Sequence, residues 1–547
     1  MSAPTPPGEP NGRPRPSIPA VAREAADRFG DAEAVVDGQR RFSFARLWTD
    51  AETVARAFIG AGVQPGDRVA IWAPNSYEWI LTLLGLQSAG ASVVPLNTRF
   101  RGSEAAYILN RSRARVLVTV GGFLGIDYPG LLAAEDLPHL DLLVVLPGAQ
   151  PAAGGGERSP IAPRVPGRAI DWEAFVSLGE DVDADEVDGR LDAVGPDDVS
   201  DLIFTSGTTG MPKGVVATHG QSIRTFTQWR RIVGLAAGDR YLLVNPMFHT
   251  FGYKAGILAC LMAGATILPL PVFDVEALLE RIATERVTVL PGPPTLYQSL
   301  LNHPAVGETD LSSLRLAVTG AAVIPVDLVK AMRERLGFEV VLTAYGLTEA
   351  TGFVTATTPD DDLETIATTS GRAIDGVEVV VVDDAGAPLP PGMAGEVLCR
   401  GFNVTQGYFE EPAQTAAAID ADGWLHTGDV GVLDDRGNLR ITDRLKDMFI
   451  VGGFNAYPAE IESLLLAHAD VAQAAVVGVP DERLGEIGVA FVVPKAGRTA
   501  VPADIVSWAR EHMANYKAPR EVHVVDALPL NASGKVLKFE LRERLRR

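Results

Sequence analysis

Apolar runs and amphipathic stretches alternate through most of the chain. Residues 67–72 (DRVAIW), 91–96 and 115–120 are near-continuous apolar runs that predict strands, and 76–89 and 103–111 between them have helical spacing. That order, strand–helix–strand, predicts parallel sheet with helices packed on it. The rhythm returns at 240–245, 265–270, 288–290, 315–319 and 339–343. Near residue 370 the texture changes. Short alternating segments at 377–383, 395–400 and 438–442, with turn signals such as Asp384-Ala385-Gly386, predict antiparallel strands. After Lys446 a small α+β unit is expected, with helices at 460–467 and 502–513 and strands at 471–477 and 488–494.

Three stretches need separate treatment. Residues 148–168 are rich in Pro and Gly and predict a surface loop, and the acidic stretch 180–201 predicts a solvated connection. Residues 255–273 hold no charge for nineteen positions, long enough to span a membrane on length alone. Ala263-Gly264-Ala265 breaks that run, and Pro269 and Pro271 punctuate its end. The pattern predicts a buried helix, a turn and a short buried strand at 266–268 instead.

Composition narrows the class. Of 547 residues 47% are hydrophobic, enough for a sizeable core and against disorder throughout. Forty-eight basic against 69 acidic residues give a net charge of −21, a surface that repels phosphate backbones and argues against a general nucleic-acid binder. The two cysteines, Cys260 and Cys399, are too few for a disulfide framework or a cysteine zinc site and suit a reducing, cytoplasmic compartment. The first residues lack an apolar secretory segment and predict a flexible tail ending near Ser17.

The candidate chemistry begins at Thr205-Ser206-Gly207-Thr208-Thr209-Gly210-Met211-Pro212-Lys213-Gly214, directly after a predicted strand at 202–204. Four hydroxyls, three glycines and one lysine fall within ten residues. Glycines let backbone N–H groups converge, hydroxyls donate, and lysine supplies a mobile cation, so the loop could grip a polyphosphate. It is not a Walker A loop, because Pro212 stands where that motif has Gly before the Lys. A flexible Gly/Thr turn is the bland alternative.

This segment resembles the signature loop of the acyl-adenylate-forming superfamily, which includes acyl-CoA synthetases, peptide-synthetase adenylation domains and beetle luciferases. Four more blocks match in family order: Gly320-Ala321-Ala322, TAYGLTEA at 343–350, GWLHTGDV at 423–430 with Asp443-Arg444-Leu445-Lys446-Asp447, and Pro529-Leu530-Asn531-Ala532-Ser533-Gly534-Lys535. The resemblance implies an α/β N-terminal domain at 18–443, with a small β-barrel-like subdomain at about 370–443. A hinge at Lys446 would join it to a small α+β C-terminal domain at 444–547, behind the tail 1–17. It implies an AMP-forming acid–thiol ligase using ATP, CoA and Mg²⁺. Tyr345, with Gly320, Ala321 and Ala322, would contact adenine, and Gly346 would belong to the ATP/AMP-binding set. Thr348 would touch the α-phosphate, Glu349 would hold Mg²⁺, and Asp429 and Arg444 would take the ribose. Lys535 becomes the catalytic lysine bridging carboxylate and α-phosphate, and Gly452, Gly453 and Phe454 would line the CoA tunnel.

The acid pocket is expected at His249, Thr250, Phe251, Tyr253 and Lys254, together with 291–297. Lys254 either snorkels to the surface or meets a polar group on the acid. FHTFGYKAGILACL, LPGPPTLYQSLL and VLTAYGLTEATG resemble the actinobacterial ligases that activate the bicyclic dione propanoate left from steroid rings C and D, the HIP-CoA ligases. Only twelve residues follow Lys535, so free CoA is the expected acceptor. Competing readings are a medium- or long-chain fatty acyl-CoA ligase, an acyl-AMP ligase loading a separate carrier protein, and a noncatalytic nucleotide-binding protein. The expected partners are small molecules, with a homodimer open and no integral membrane segment.

Overall fold

Continuous apolar runs bury both faces of a strand, and a parallel sheet covered by helices satisfies them. The computed structural model describes residues 17–147, 168–206, 211–320, 326–383, 385–444, 449–456, 458–495, 497–529, 536 and 538–545. Two large sheets form. In one, Glu33–Asp37, Thr266–Pro269, Arg240–Leu243, Val289–Pro291, Leu316–Gly320 and Val340–Tyr345 lie parallel in that order, with short antiparallel strands at both edges. In the other, Arg168–Asp171, Leu142–Leu146, Val116–Val120, Arg68–Trp72, Ser92–Pro95 and Val199–Ser206 run parallel, and Pro212–Thr218 turns back antiparallel.

Helix Tyr77–Ser88 is the wedge between the sheets. All twelve of its residues are buried. Among its polar groups, Glu78 pairs with Arg40, and the Thr82 and Ser88 hydroxyls donate to carbonyls one turn back. Its Gln87 amide donates to the Ser200 carbonyl of one sheet at 3.1 Å and to the Tyr253 hydroxyl beside the other at 3.0 Å. One hydrophobic core therefore runs through both sheets, from Val93 and Leu117 to Val35 and Val289.

The change of texture near 370 corresponds to a four-stranded antiparallel meander: Val377–Val382, Ala394–Gly401, Leu425–Leu433 and Leu439–Arg444. Its outer strands do not pair with each other among the described residues. The C-terminal unit is a five-stranded sheet with helices Pro458–Leu465, Pro502–His512 and Lys538–Leu545. Its two core clusters draw buried residues only from between Phe449 and Leu541, so it is built as a separate α+β unit.

Ser17 caps helix Ile18–Phe29 through its hydroxyl, with Pro19 in the first turn, where a missing N–H costs nothing. The rest of the predicted tail lies outside the described residues, as does the loop predicted at 148–168 except for Arg168, which begins strand Arg168–Asp171. The acidic stretch 180–201 is not simply a solvated connection. It contains helix Ala184–Ala193, which buries Val187 and Leu191 one turn apart, and the start of strand Val199–Ser206, where Asp201 is 1% exposed. The uncharged run resolves as expected into helix, turn and strand. A π-helix Phe251–Leu258 continues as Ala259–Ala263, Gly264 turns at φ 76°, and Thr266–Pro269 enters the sheet. No helix among the described residues is long and apolar enough to cross a membrane.

Candidate active site

The hydroxyl- and glycine-rich segment sits at the tip of a hairpin. Strand Val199–Ser206 pairs with Pro212–Thr218 so that Thr205 faces Lys213 and Ser206 faces Pro212. Gly207, Thr208, Thr209 and Gly210 lie outside the described residues, as does the side chain of Ser206. The hairpin delivers Thr205 to Glu349, and its hydroxyl donates to Glu349 Oε1 at 3.1 Å. The Tyr408 hydroxyl donates to the same oxygen at 3.1 Å, and the Lys213 ammonium lies 5.0 Å from the centroid of the Tyr408 ring. Sequence reading missed Tyr408. Its signal is faint, a tyrosine after Gly407, and it arrives because 406–409 pairs across the hairpin's return strand, with Phe409 N–H donating to the Gly214 carbonyl at 2.7 Å.

Glu349 occupies a short 3₁₀ turn, Thr348–Ala350, ended by Thr351 at φ 55° and Gly352 at φ 90°. A Cβ on Gly352 would lie 2.1 Å from Thr250 Cγ2, so glycine there lets the acid-pocket segment approach. The Thr348 hydroxyl makes no hydrogen bond to the described residues. Glu349 Oε2 likewise accepts from none of them. No group of three or more His, Cys, Asp or Glu residues able to hold a metal occurs among the described residues. A carboxylate oxygen without a partner among the described residues nevertheless fits Mg²⁺, which takes one or two carboxylates plus phosphate oxygens.

Tyr345 ends the parallel strand Val340–Tyr345, where ligands of open α/β sheets bind. Its hydroxyl donates to Asp429 Oδ2 at 2.6 Å. Asp429 is 2% exposed and is delivered by the antiparallel meander. Burial, and then the Asp429 charge, push the Tyr345 hydroxyl well above its ordinary value. Arg444 pairs with Asp429 across the meander by backbone register, while its side chain lies outside the described residues. Gly320 is required by close packing, since a Cβ would meet the Ala344 carbonyl at 2.5 Å, and Gly346 similarly meets the Gly352 carbonyl at 2.2 Å. Ala321, Ala322, Lys446 and Lys535 are outside the described residues.

The expected acid pocket divides in two. His249 is exposed, with Nδ1 accepting from the Phe251 N–H at 3.2 Å. Thr250 is buried, and its hydroxyl has no partner among the described residues. Phe251 meets the Trp229 ring edge-on at 5.6 Å. Tyr253 and Lys254 instead turn into the core. Tyr253 is fully buried on Gln87, and Lys254 Nζ lies 3.0 Å from Asp201, both side chains 1% exposed. Lys254 therefore does not snorkel, and its ammonium is held by Asp201, because a buried ammonium needs its carboxylate. Burial pushes its affinity for the proton down, and Asp201 opposes that.

The small domain brings its glycine turn to the same place. Gly452 and Gly453 have φ 56° and 85°, and the nearest atom to a Cβ on Gly453 would be Pro293 Cγ at 3.7 Å, in the 291–297 segment. Phe454 stacks on Tyr516 at 4.9 Å, with the Arg99 guanidinium 5.7 Å from its ring.

Similarity to known proteins agrees with this geometry. Residues 22–409 match the AMP-binding enzyme family, and residues 460–535 match the AMP-binding enzyme C-terminal domain. The 7a-methyl-1,5-dioxo-octahydroindenyl propanoyl:CoA ligase of Rhodococcus jostii (strain RHA1) is 49% identical over 96% of this chain and 98% of its own. The ligase of the same description from Mycobacterium tuberculosis (strain ATCC 25618 / H37Rv) is 50% identical over the same shares. Among solved structures, a double mutant of Bacillus subtilis o-succinylbenzoate CoA synthetase bound with its product analogue superposes with a TM-score of 0.80 at 28% identity, covering 96% of this chain and 98% of that one. The same synthetase with its acyl-adenylate intermediate gives 0.65 at 28% identity, covering 95% and 97%. With both domains matched in order and the paired polar groups gathered at the strand ends, the chain belongs to the AMP-binding enzyme family.

Proposed function

We propose that the protein is an ATP-dependent, AMP-forming acid–CoA ligase whose acid is the bicyclic dione propanoate of the steroid C and D rings. The observation that carries this is the near-50% identity, over 96% of the chain, to two ligases of that description. The Thr205–Glu349–Tyr408 and Tyr345–Asp429 contacts support the nucleotide half of the reading.

In the first step a carboxylate oxygen of the acid attacks the α-phosphorus of ATP. The bond to the pyrophosphate oxygen breaks, giving acyl-AMP and pyrophosphate. In the second, the CoA thiolate attacks the acyl carbon, and AMP leaves with the electron pair of the C–O bond. Neither step needs a protein nucleophile, so catalysis rests on positioning and charge stabilisation. Lys535 neutralises charge growing at phosphorus. Thr348 donates its hydroxyl to the α-phosphate, and Lys213 with the 205–210 hydroxyls holds the departing phosphates. Glu349 would hold Mg²⁺, which supplies charge neutralisation to the phosphates when bound. Tyr345 offers its ring to adenine, while Asp429 and Arg444 take the ribose. Phe251 gives the acid an apolar wall, and the unpaired Thr250 hydroxyl offers a hydrogen bond to a ring ketone. Rotation about Lys446 exchanges Lys535 for the Gly452-Gly453 turn between steps. A cytoplasmic setting fits the two buried free thiols, Cys260 and Cys399.

The test is AMP release with Mg²⁺-ATP and free CoA across acetate, octanoate, palmitate, benzoate and the dione propanoate. The last should win by about a hundredfold or more in kcat/KM, since several ring contacts act together. Preference for a simple fatty acid would overturn the substrate reading, and adenylate without CoA thioester would move the protein to the carrier-loading class.

A further inference from the structure

Where the small domain meets the large one, a lysine is buried between two carboxylates. Lys517 Nζ lies 2.6 Å from Glu460 Oε1 in its own domain and 2.7 Å from Glu104 Oε1 in the other, with side-chain exposures of 2, 5 and 8%. The same ammonium sits 4.7 Å from the centroid of the Phe100 ring. Glu104 is itself fixed, since its other oxygen accepts from the Arg101 N–H at 2.9 Å in the first turn of helix Gly102–Ser112. The rest of segment 97–104 also touches the small domain. Arg101 donates to the Arg510 carbonyl at 2.5 Å, Asn97 approaches the Tyr516 hydroxyl at 3.5 Å, and Arg99 covers Phe454.

We infer that Glu104, Lys517 and Glu460 form a latch that holds the small domain in the arrangement placing the Gly452-Gly453 turn at Pro293, and that the latch opens between the two half reactions. The chemistry suits a contact that must be made and broken. Lys517 and Glu460 are a neutral pair within the small domain, so undocking leaves no uncompensated buried cation there. Docking adds Glu104, which strengthens the hold on Lys517 at the cost of one net negative charge in a buried site. Glu460 Oε2 has no hydrogen-bond partner among the described residues, a further sign that the docked cluster is satisfied only in part. The cluster can therefore be specific without being permanent. The arrangement it secures is also the one that superposes better on the product-analogue complex than on the acyl-adenylate complex of the related synthetase. Glu104 and Lys517 are positioning residues, since neither touches the nucleotide or the reacting atoms.

This inference rests on the CoA-ligase reading, and its test separates the two. The probe variant is Glu104→Gln in the full chain, which keeps the side chain's shape and leaves the Lys517–Glu460 pair intact. Pyrophosphate release without CoA reads the first half reaction, and transfer from preformed acyl-AMP to CoA reads the second. Transfer should slow by about tenfold or more while adenylate formation stays within about twofold, as expected when one partner of a buried charge contact is lost. Lys517→Met should show the same split, with its melting transition checking the fold. Unchanged transfer in Glu104→Gln, or equal loss in both half reactions, would overturn the latch. If the wild type makes adenylate but no CoA thioester with any acid, the ligase reading fails. The latch is then judged by amide hydrogen exchange at 97–104, which Glu104→Gln should accelerate and which, left unchanged, sinks it.

Discussion

His219 shows how a single residue's surroundings set its chemistry. It opens helix His219–Val233 immediately after the 199–218 hairpin, is 1% exposed, and accepts the Ile18 N–H through Nδ1 at 3.2 Å. Burial, helped by the Lys254 charge, lowers its pKa to about 3 from an ordinary 6.5. The folded protein thus holds the neutral ring while the unfolded chain takes up a proton. The stability this contributes is complete above pH 6.5 and is lost as the pH falls toward about 3. His219→Asn keeps an acceptor without a titration. Between pH 7 and 4.5 the wild type should lose about 2–3 kcal/mol more than the variant in urea denaturation. Equal losses would place the acid sensitivity elsewhere. At this scale Thr205, Tyr345, Glu349 and Asp429 were singled out by the resemblance of their motifs, and the fold shows that they meet in two pairs, Thr205 with Glu349 and Tyr345 with Asp429. Tyr408 was not, since nothing near it in the chain announces that its hydroxyl ends 3.1 Å from Glu349.

Among the elements, the hairpin 199–218 and the π-helix Phe251–Leu258 bear candidate site residues, and a buried ion pair ties them together. Asp201 lies four residues before Thr205, and Lys254 lies four after Thr250, so their contact sets how strand Val199–Ser206 meets the segment at 249–254. The π-turn, a geometry frequent at functional sites, accompanies this inward placement of Tyr253 and Lys254. Lys254→Met should cost about 3–5 kcal/mol by denaturant midpoint, because Asp201 would be left buried and charged. Adding Asp201→Asn should recover part of that loss. No recovery would mean that packing, not charge, holds the junction. Most strands were readable from apolar runs to within a residue or two. Helix Ala184–Ala193 was obscured because its acidic exposed face outweighs two apolar contacts, Val187 and Leu191.

For the whole molecule, the question is how two separately cored units share one site. The small domain contributes Gly453 near Pro293 in the arrangement seen here, whereas the proposed first step uses Lys535. Lys446→Pro, at the proposed hinge, should spare pyrophosphate release and slow acyl transfer to CoA by about tenfold or more, because proline removes backbone freedom at the pivot. Equal loss of both steps would argue that the two domains act as one rigid body.

The sequence alone determined the alternation of strand and helix, the change to antiparallel strands near residue 370, the small C-terminal unit and the order of the family motif blocks. These are local quantities, set by side-chain period, turn chemistry and motif spacing. Tertiary structure alone decided what meets what. It turned Lys254 into the core, brought Tyr408 to Glu349, and buried Lys517 between carboxylates 57 and 413 positions away in the chain. The physical reason is that a charge's role depends on what shares its low-dielectric surroundings, and packing, not neighbouring sequence, selects those partners.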